Sequence, residues 1–212
     1  MDRLNEEIVA CHACPRLVAW REQVAREKKK QFADWDYWGR PVPNFGDPDA
    51  DRLIVGLAPA AHGANRTGRM FTGDRSGDWL YRALHKAGVA SQPTSVAADD
   101  GLTLTGVLIT ATVHCAPPDN KPLPSEIQNC LGFFRRTLIH REWKAILCLG
   151  SIAWNQTLRA LGEKSRSFGH GRVERVAGGI KLVASYHPSQ QNTFTGKLTE
   201  SMLDAAIAEF LD

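Results

Sequence analysis

The sequence lacks several features that would define its class at once. No apolar run approaches the ~20 residues that a bilayer-spanning helix needs, and there are no internal repeats or low-complexity tracts. Neither sign of charge dominates, since 26 basic residues stand against 23 acidic ones and the formal net charge is +3. This mild excess permits a polyanionic partner without requiring one. The N-terminus is charged from its second residue, unlike an export signal, and we expect a cytoplasmic protein without membrane contact.

Short apolar runs alternate with longer amphipathic segments along the chain. At 212 residues the length suits one domain, over residues 1–212, with a well-buried core. The alternation predicts an α/β fold with a mainly parallel sheet that helices cover on both faces. In such sheets ligands collect beyond the carboxyl ends of the strands, so we expect the loops after Val55, Val113 and Tyr186 to be informative. The predicted strands are 52–58, 106–113, 145–150 and 180–186, and the predicted helices are 78–88, 124–139, 151–161 and 196–211.

Five cysteines in a chain without an export signal are typical of metal ligands or reduced thiols rather than disulfides. One of them, Cys148, lies in a buried-strand pattern and is expected to pack as a small hydrophobe. The other four form one C-x2-C pair and two separated positions, unlike the double-knuckle pattern of zinc sites. This spacing favours an iron–sulfur cluster that ties an N-terminal arm (1–50) to the core, with zinc and a metal-free chain as alternatives. The four are Cys11, Cys14, Cys115 and Cys130.

The loop after the first predicted strand, "GLAPAAHGANRTGRMFTGD" (56–74), is rich in Gly, Pro and Ala. It lacks the G-x-x-x-x-G-K-[ST] pattern of a phosphate-binding loop, which argues against a nucleotide-binding enzyme. Another segment, 17–50, mixes three consecutive lysines with aromatic residues. It is typical either of an irregular arm that wraps the sheet or of a nucleic-acid surface.

Two further stretches belong with the loop 56–74: "TATVHCAPPDNKP" (110–122) and "SYHPSQQNTFTGKLT" (185–199). Together the three resemble the type B, or family 5, uracil-DNA glycosylases, and the resemblance spans about residues 8–211. The four-cysteine arrangement is similar to that of families 4 and 5, which implies a [4Fe–4S] cluster on Cys11, Cys14, Cys115 and Cys130. The resemblance also implies a three-layer α/β/α sandwich around a short, mainly parallel sheet. The implied activity is that of a monomeric glycosylase acting on deaminated bases in single- and double-stranded DNA.

A glycosylase must turn its target nucleotide out of the helix into a pocket, and the resemblance assigns residues to that pocket. Small residues would let the backbone approach a flat ring, Phe71 would stack on the base, and His62 would be an auxiliary donor. The residues implied to contact the base are Gly56, Ala58, Ala61, His62, Phe71, Ala111, Ser189 and Asn192. In the same loop, Arg66 and Arg69 would meet DNA phosphates as permanently charged donors.

Hydrolysis builds positive charge on the sugar and negative charge on the departing base. His187 is the candidate donor to the base, whereas Asp74 is the candidate counter-charge and water positioner, helped by Asn120. Early in the loop, where many relatives carry an acid or amide, this sequence has Leu57, Ala58, Ala60 and Ala61, which leaves the catalytic assignment open. The lysines in the motifs, Lys121 and Lys197, lack an apolar setting, which favours a monofunctional hydrolase over a Schiff-base lyase.

Substrate range depends on one further position. Family 4 members have an Asn four residues before the cysteine equivalent to Cys115, and here that position is Ala111. A pocket without a buried amide lacks a strong penalty against other bases, so we expect hypoxanthine to be excised as well as uracil. The alternative is a non-catalytic, metal-stabilised nucleic-acid-binding protein.

Overall fold

The computed structural model describes residues 1–212 and contains eight α-helices and six strands. The helices are α1 Asp2–Val9, α2 Pro15–Glu27, α3 Ala64–Thr67, α4 Arg75–Lys86, α5 Pro124–Ile139, α6 Ser151–Ala160, α7 Gln190–Phe194 and α8 Glu200–Leu211. The strands are β1 Phe45–Gly46, β2 Arg52–Gly56, β3 Val107–Ala111, β4 Ala145–Leu149, β5 Val173–Arg175 and β6 Lys181–Ser185. Short 3-10 turns occupy Lys30–Phe32, Pro118–Asn120 and Ala177–Gly179. No helix combines the length and the apolarity that a membrane span requires.

All six strands form one sheet in the order β1-β3-β2-β4-β6-β5. The four central strands are parallel, and the two edge strands run antiparallel to their neighbours. The central strands are almost continuously apolar and buried, as expected for parallel strands covered on both faces. The predicted α/β class and the mainly parallel sheet are therefore confirmed.

Alternate residues of the central strands feed two separate cores. On one face Ile54 and Ile109 pack with residues of α4 and α8. On the other face Leu53 and Leu108 pack with residues of α5 and α6. Because side chains alternate across a strand, the same five-residue runs hold both helical layers, and the result is a three-layer sandwich.

Each of the four predicted strands and four predicted helices has a counterpart in the structure. The predicted helix 78–88 begins earlier, at Arg75, because the Asp74 side chain accepts a hydrogen bond from the Gly77 N–H and caps the helix. The predicted helix 196–211 begins later, at Glu200, after a cap by Thr199.

The N-terminal arm is more regular than predicted, because α1 and α2 lie within it. It is attached to the rest of the chain by long-range hydrogen bonds, such as the one that the Val42 N–H donates to the His114 carbonyl at 2.7 Å. Within the arm, the Asn44 N–H donates to Asn5 Oδ1 at 3.0 Å. The irregular part therefore begins only after Glu27.

Candidate active site

A cavity of about 840 Å³ lies at the carboxyl ends of the parallel strands. Its walls come from the loops after β2, β3 and β6, which the alternating pattern had singled out. The central strand β4 contributes no loop, because α6 begins directly after Gly150. The stretches that supply wall residues are 56–64, 70–71, 73–76, 119–121 and 189–191, with Lys29, Gln31, Phe32, Ala111 and His187.

The Phe71 ring lies in this wall on an unusual backbone. Phe71 has φ of +53°, a left-handed conformation that is uncommon outside glycine. Two glycines permit it: a Cβ at position 56 would lie 2.9 Å from Phe71 Cζ, and one at position 77 would lie 1.8 Å from the Phe71 carbonyl oxygen. The ring centroid lies 5.8 Å from that of His187, with the planes inclined by 31°. The cavity therefore has an aromatic face beside an imidazole.

Asp74 lines the cavity at the start of α4. A Cβ at position 63 would lie 2.0 Å from Asp74 Oδ2, so only glycine lets the loop approach the carboxylate this closely. Burial raises the pKa of Asp74 above its ordinary value, and the backbone N–H groups of Gly77 and Ser76 act in the opposite direction. The site thus holds a carboxyl group that protonates more readily than an exposed one.

His187 follows β6 and lines the same cavity. Burial lowers its pKa to about 4, so the imidazole is neutral at physiological pH. Asn192 Nδ2 donates to the His187 carbonyl at 2.9 Å, and Ser189 caps α7 by accepting from the Asn192 N–H at 3.4 Å. These bonds hold the backbone while leaving the imidazole available to a bound group.

The other predicted contacts divide into two groups. Gly56, Ala58, Ala61, His62, Ala111, Ser189 and Asn120 all line the cavity. His62 Nδ1 lies 3.0 Å from the Tyr37 hydroxyl, which ties the N-terminal arm to the cavity wall. Asn192 is not in the wall, and its amide donates to the His187 carbonyl instead, so its role as a substrate contact stays a prediction.

Both arginines predicted to meet phosphates are internal in this structure. Arg69 is 3% exposed and forms a bidentate ion pair with Asp100 at 2.8 Å. Arg66 is 2% exposed, donates to the carbonyls of His62 and Gly73, and has its guanidinium 3.9 Å from the Phe32 ring centroid and 4.0 Å from that of Trp35. Planar guanidinium groups stack well on aromatic faces, so these residues build the loop rather than its outer surface.

Two cationic residues at the edge of the cavity, Lys29 and Arg75, were not among the predicted site residues. Gln190 and Gln191 line the cavity as well, within the segment 190–196 that we expect to contact the DNA backbone or fill the space left by the base. Phe194 is 69% exposed at the end of α7, with the Arg75 guanidinium 4.4 Å from its ring centroid. The sequence signal for this position is the single aromatic residue among polar ones in "QQNTFTG".

Four cysteines, Cys11, Cys14, Cys115 and Cys130, form what we call the cysteine corner. Cys14, Cys115 and Cys130 pack in one small core with Leu17 and Val113, and no disulfide joins them. Burial raises the pKa of Cys115 to about 11 and that of Cys130 to about 12, and the neighbouring cysteines add to both shifts. Cys148 is buried in the other core, donates to Thr157, and is a small packing residue as predicted.

The cysteine corner does not have the geometry of a site for one metal ion. No group of three or more His, Cys, Asp or Glu side chains in the chain is arranged to hold one. Cys11 and Cys14 are nevertheless near enough to raise the pKa of both Cys115 and Cys130, and Cys115 also raises that of Cys130. The thiols therefore share one corner of the molecule without the arrangement that a single ion would need.

Comparisons with known proteins match most of the chain to a single family. A sequence model described as the Uracil DNA glycosylase superfamily matches residues 43–211. The chain is 54% identical over 211 residues to the Type-5 uracil-DNA glycosylase of Mycobacterium tuberculosis (strain CDC 1551 / Oshkosh), covering 97% of this chain and 79% of that one. It is 53% identical to the protein of that name from Mycobacterium leprae (strain TN), covering 95% and 90%. For the Thermus thermophilus protein of that name the identity is 48%, covering 99% and 97%. The resemblance predicted from three motifs is confirmed.

Proposed function

The chain belongs to the uracil DNA glycosylase superfamily, and from this premise we propose that it removes uracil from DNA by hydrolysing the N-glycosidic bond. The observation that carries the proposal is the cavity that brings together Phe71, Asp74 and His187. A base inside a duplex cannot reach such a cavity, so the nucleotide must be turned out of the stack first. The reaction then leaves an abasic site in the DNA, as expected of an enzyme that begins base excision repair.

His187 is the residue that we assign to the departing base. As the bond breaks, negative charge grows on the ring oxygens, and a positioned N–H donor stabilises it. A neutral imidazole suits this role because it donates a hydrogen bond without carrying the desolvation cost of a buried cation. Phe71 beside it offers a face on which a flat base stacks.

Asp74 is the residue that we assign to the sugar. Positive, oxocarbenium-like charge develops there, and a carboxylate stabilises it while orienting the attacking water. Asn120 lines the same cavity on a left-handed backbone, with φ of +55°, and we assign its amide as a second contact for that water. His62, held by Tyr37, remains an auxiliary donor.

Phosphate contacts fall to residues other than those predicted from the sequence. Lys29, Arg75 and Lys121 line the cavity, whereas Arg66 and Arg69 are committed to internal partners. Cationic side chains at a cavity mouth bind any DNA sequence through its phosphates, which suits an enzyme that scans. Binding is therefore mainly backbone-directed and salt-sensitive.

Phe194 is assigned to the DNA helix rather than to the base. Proteins that unstack DNA often insert an apolar side chain at the step they open. Phe194 is exposed, one helical turn from the cavity wall, and the Arg75 guanidinium lies against its ring. We assign it to the space that the turned-out nucleotide leaves behind.

A [4Fe–4S] cluster on the cysteine corner completes the proposal. The donors fit such a group, because cluster ligands are thiolates and all four thiols are free. A fully buried arginine, Arg21, donates to Cys115 Sγ at 3.0 Å, as expected beside a thiolate rather than a neutral thiol. When bound, the cluster would cross-link the N-terminal arm to the core; base hydrolysis involves no redox step.

We further propose that the substrate range extends to hypoxanthine and that the protein acts as a monomer. Ala111 lines the cavity with no hydrogen-bonding side chain. Selection then depends on stacking, backbone contacts and the ease of extruding a mispaired base. Such a pocket excludes an unusual base less strictly than one with a buried amide.

The direct test is incubation with a duplex that carries one uracil, followed by alkali cleavage at the abasic site. We expect cleavage at that position only, under single-turnover conditions. Binding without cleavage in wild-type protein would instead support the non-catalytic nucleic-acid-binding alternative. The same assay with hypoxanthine tests the range: excision of uracil alone shows that the range is narrow.

A further inference from the structure

Arg21 is a buried cation without an ordinary anionic partner. Its side chain lies on α2 and is 0% exposed. Nη1 donates to Cys115 Sγ at 3.0 Å and to the Cys11 carbonyl at 3.4 Å, whereas Nε and Nη2 have no hydrogen-bond partner. No carboxylate is among these contacts. An arginine stays protonated in proteins, so its positive charge is buried without a compensating carboxylate.

A buried unpaired charge is strongly unfavourable, and each buried donor without an acceptor adds to that cost. Arg69 meets this requirement through its ion pair with Asp100, and the Arg66 guanidinium lies against the rings of Phe32 and Trp35. The one side-chain atom that accepts from Arg21 is Cys115 Sγ. The requirement of Arg21 is met when the neighbouring sulfur atoms carry negative charge.

We infer that Arg21 is the buried counter-cation of the metal centre held by the cysteine corner, and that its charge sets how firmly the metal is retained and at what potential it is reduced. The inference rests on the proposed cluster. A positive charge beside thiolate ligands favours the more negatively charged, reduced form, because it lowers the electrostatic work of adding an electron. Removing that charge lowers the reduction potential.

Helix α2, which carries Arg21, is linked to the cavity wall through Asn65. Asn65 is fully buried, and its Nδ2 donates to the Arg21 carbonyl at 3.2 Å and to the Ala61 carbonyl at 3.3 Å. Ala61 lines the cavity. We therefore expect loss of the metal to disturb the cavity wall through α2 and Asn65. Any fall in excision by an Arg21 variant should then follow its metal content.

The test compares three variants of the full chain, purified without oxygen. Arg21→Met removes the charge and keeps much of the length, Arg21→Lys keeps the charge, and Arg26→Met removes an exposed arginine from the same helix. The readouts are iron per chain, iron loss to a chelator, and the reduction potential by film voltammetry. We expect Arg21→Met to retain iron about 10-fold less well and to show a lower potential, with Arg21→Lys and Arg26→Met near wild type.

Two outcomes overturn the inference. One is an Arg21→Met protein with wild-type iron retention and potential. The other is an Arg21→Lys protein that loses iron as Arg21→Met does, because then the shape of the guanidinium matters and its charge does not. If Arg21→Met does not fold, the inference is judged from Arg21→Lys alone: iron retention and potential near wild type support it, and loss of iron overturns it. Wild-type protein without iron contradicts the cluster instead, and wild-type protein with iron but no uracil excision contradicts the proposed activity.

Discussion

The cavity and the cysteine corner both draw on the segment after β3, yet they place their ionisable groups in opposite conditions. In the cavity, Ala111 stands beside a carboxyl group and an imidazole that face open space. Four residues later, Cys115 packs in a small apolar core against a buried arginine. Burial shifts pKa values in both regions, towards a neutral His187 and towards protonated thiols. Groups in a cavity are accessible to a ligand from solvent, whereas groups in a closed core are accessible only to their packing neighbours.

This difference separates two kinds of substitution. A change in the cavity that spares the Asp74 cap of α4 removes chemistry from a fold that does not depend on it. The His187 imidazole, for example, makes no hydrogen bond to the protein. Changes in the cysteine corner remove a proposed cross-link between an arm and the core. We therefore expect the first kind to alter rates at constant stability and the second to alter stability and metal content.

The largest effect should come from Asp74→Asn. The amide keeps an oxygen for the Gly77 N–H, so the helix cap survives while the charge is lost. Loss of one positioned electrostatic group lowers the rate by ~10²–10³, to be measured as single-turnover excision of uracil. Asp78→Asn, exposed in the first turn of the same helix, is the control and should retain the wild-type rate. An active Asp74→Asn protein would transfer the water-positioning role to Asn120.

The pH dependence of excision tests the role assigned to Asp74. The raised pKa of Asp74 means that the carboxyl gains its proton at a higher pH than an ordinary aspartate does. Since the proposed role needs the carboxylate, wild-type excision should fall as the pH drops through that raised pKa. The slower Asp74→Asn protein should lack this acidic limb. His187 stays neutral down to about pH 4, the value of its pKa, so it adds no limb above that pH.

His187→Ala should also slow excision, by ~10², with the thermal midpoint unchanged. Binding to DNA that contains an abasic site should be largely intact, because the imidazole is assigned to the departing base and that base is absent. His140→Ala, exposed at the end of α5, is the matched control. Equal losses in abasic-site binding and excision would mean that His187 shapes the cavity rather than serving the reaction.

Cys130→Ala tests the other region. We expect loss of most of the iron and a lower melting temperature, with the fall in excision following the loss of iron. Cys148→Ala removes the same atoms from another buried position outside the cysteine corner, at about 1 kcal/mol, and should leave iron unchanged. Comparison of the two isolates the metal from simple loss of packing. Equal iron in both proteins, or stoichiometric zinc in the wild type, contradicts the cluster.

Phe194→Ala should lower excision from a paired duplex by about 10-fold, the value of one lost stacking contact. Excision from a single strand should change little, because no helix has to be opened there. Ile139→Ala removes an exposed apolar side chain elsewhere and controls for surface effects. Equal loss on both substrates would show that Phe194 acts on the cavity and not on the helix.

The smallest effect is a change of preference. Ala111→Asn should lower excision of hypoxanthine relative to uracil by several-fold, because a buried amide is left unpaired by a base that does not match it. The measurement is the ratio of the two single-turnover rates. An unchanged ratio in a folded variant would place discrimination in the backbone of the loop after β2.

The strands with continuous apolar runs, and the loops that follow them, were predictable from the sequence. Apolar runs such as 145–150 had no alternative to burial, and the loops after β2, β3 and β6 followed from the parallel sheet. Arg66 and Arg69 were not predictable in the same way, because their partners are distant in sequence, at Phe32, Trp35 and Asp100. Internal pairing of an arginine leaves no local pattern. Arg21 was missed for the same reason, since its partner Cys115 is distant in sequence.

The distance between the halves of the cysteine corner also has a consequence in time. Cys14 leaves the ribosome 116 residues before Cys130, which at ordinary synthesis rates is roughly 5 to 25 seconds. During that interval the C-x2-C pair lies on an arm whose partners, from Asn65 to Cys130, have not all been made. Insertion of the proposed cluster would therefore wait for synthesis of α5. Until then the nascent chain exposes an oxidisable pair of thiols, and growth conditions that oxidise or wrongly metallate this pair would reduce the yield of folded protein.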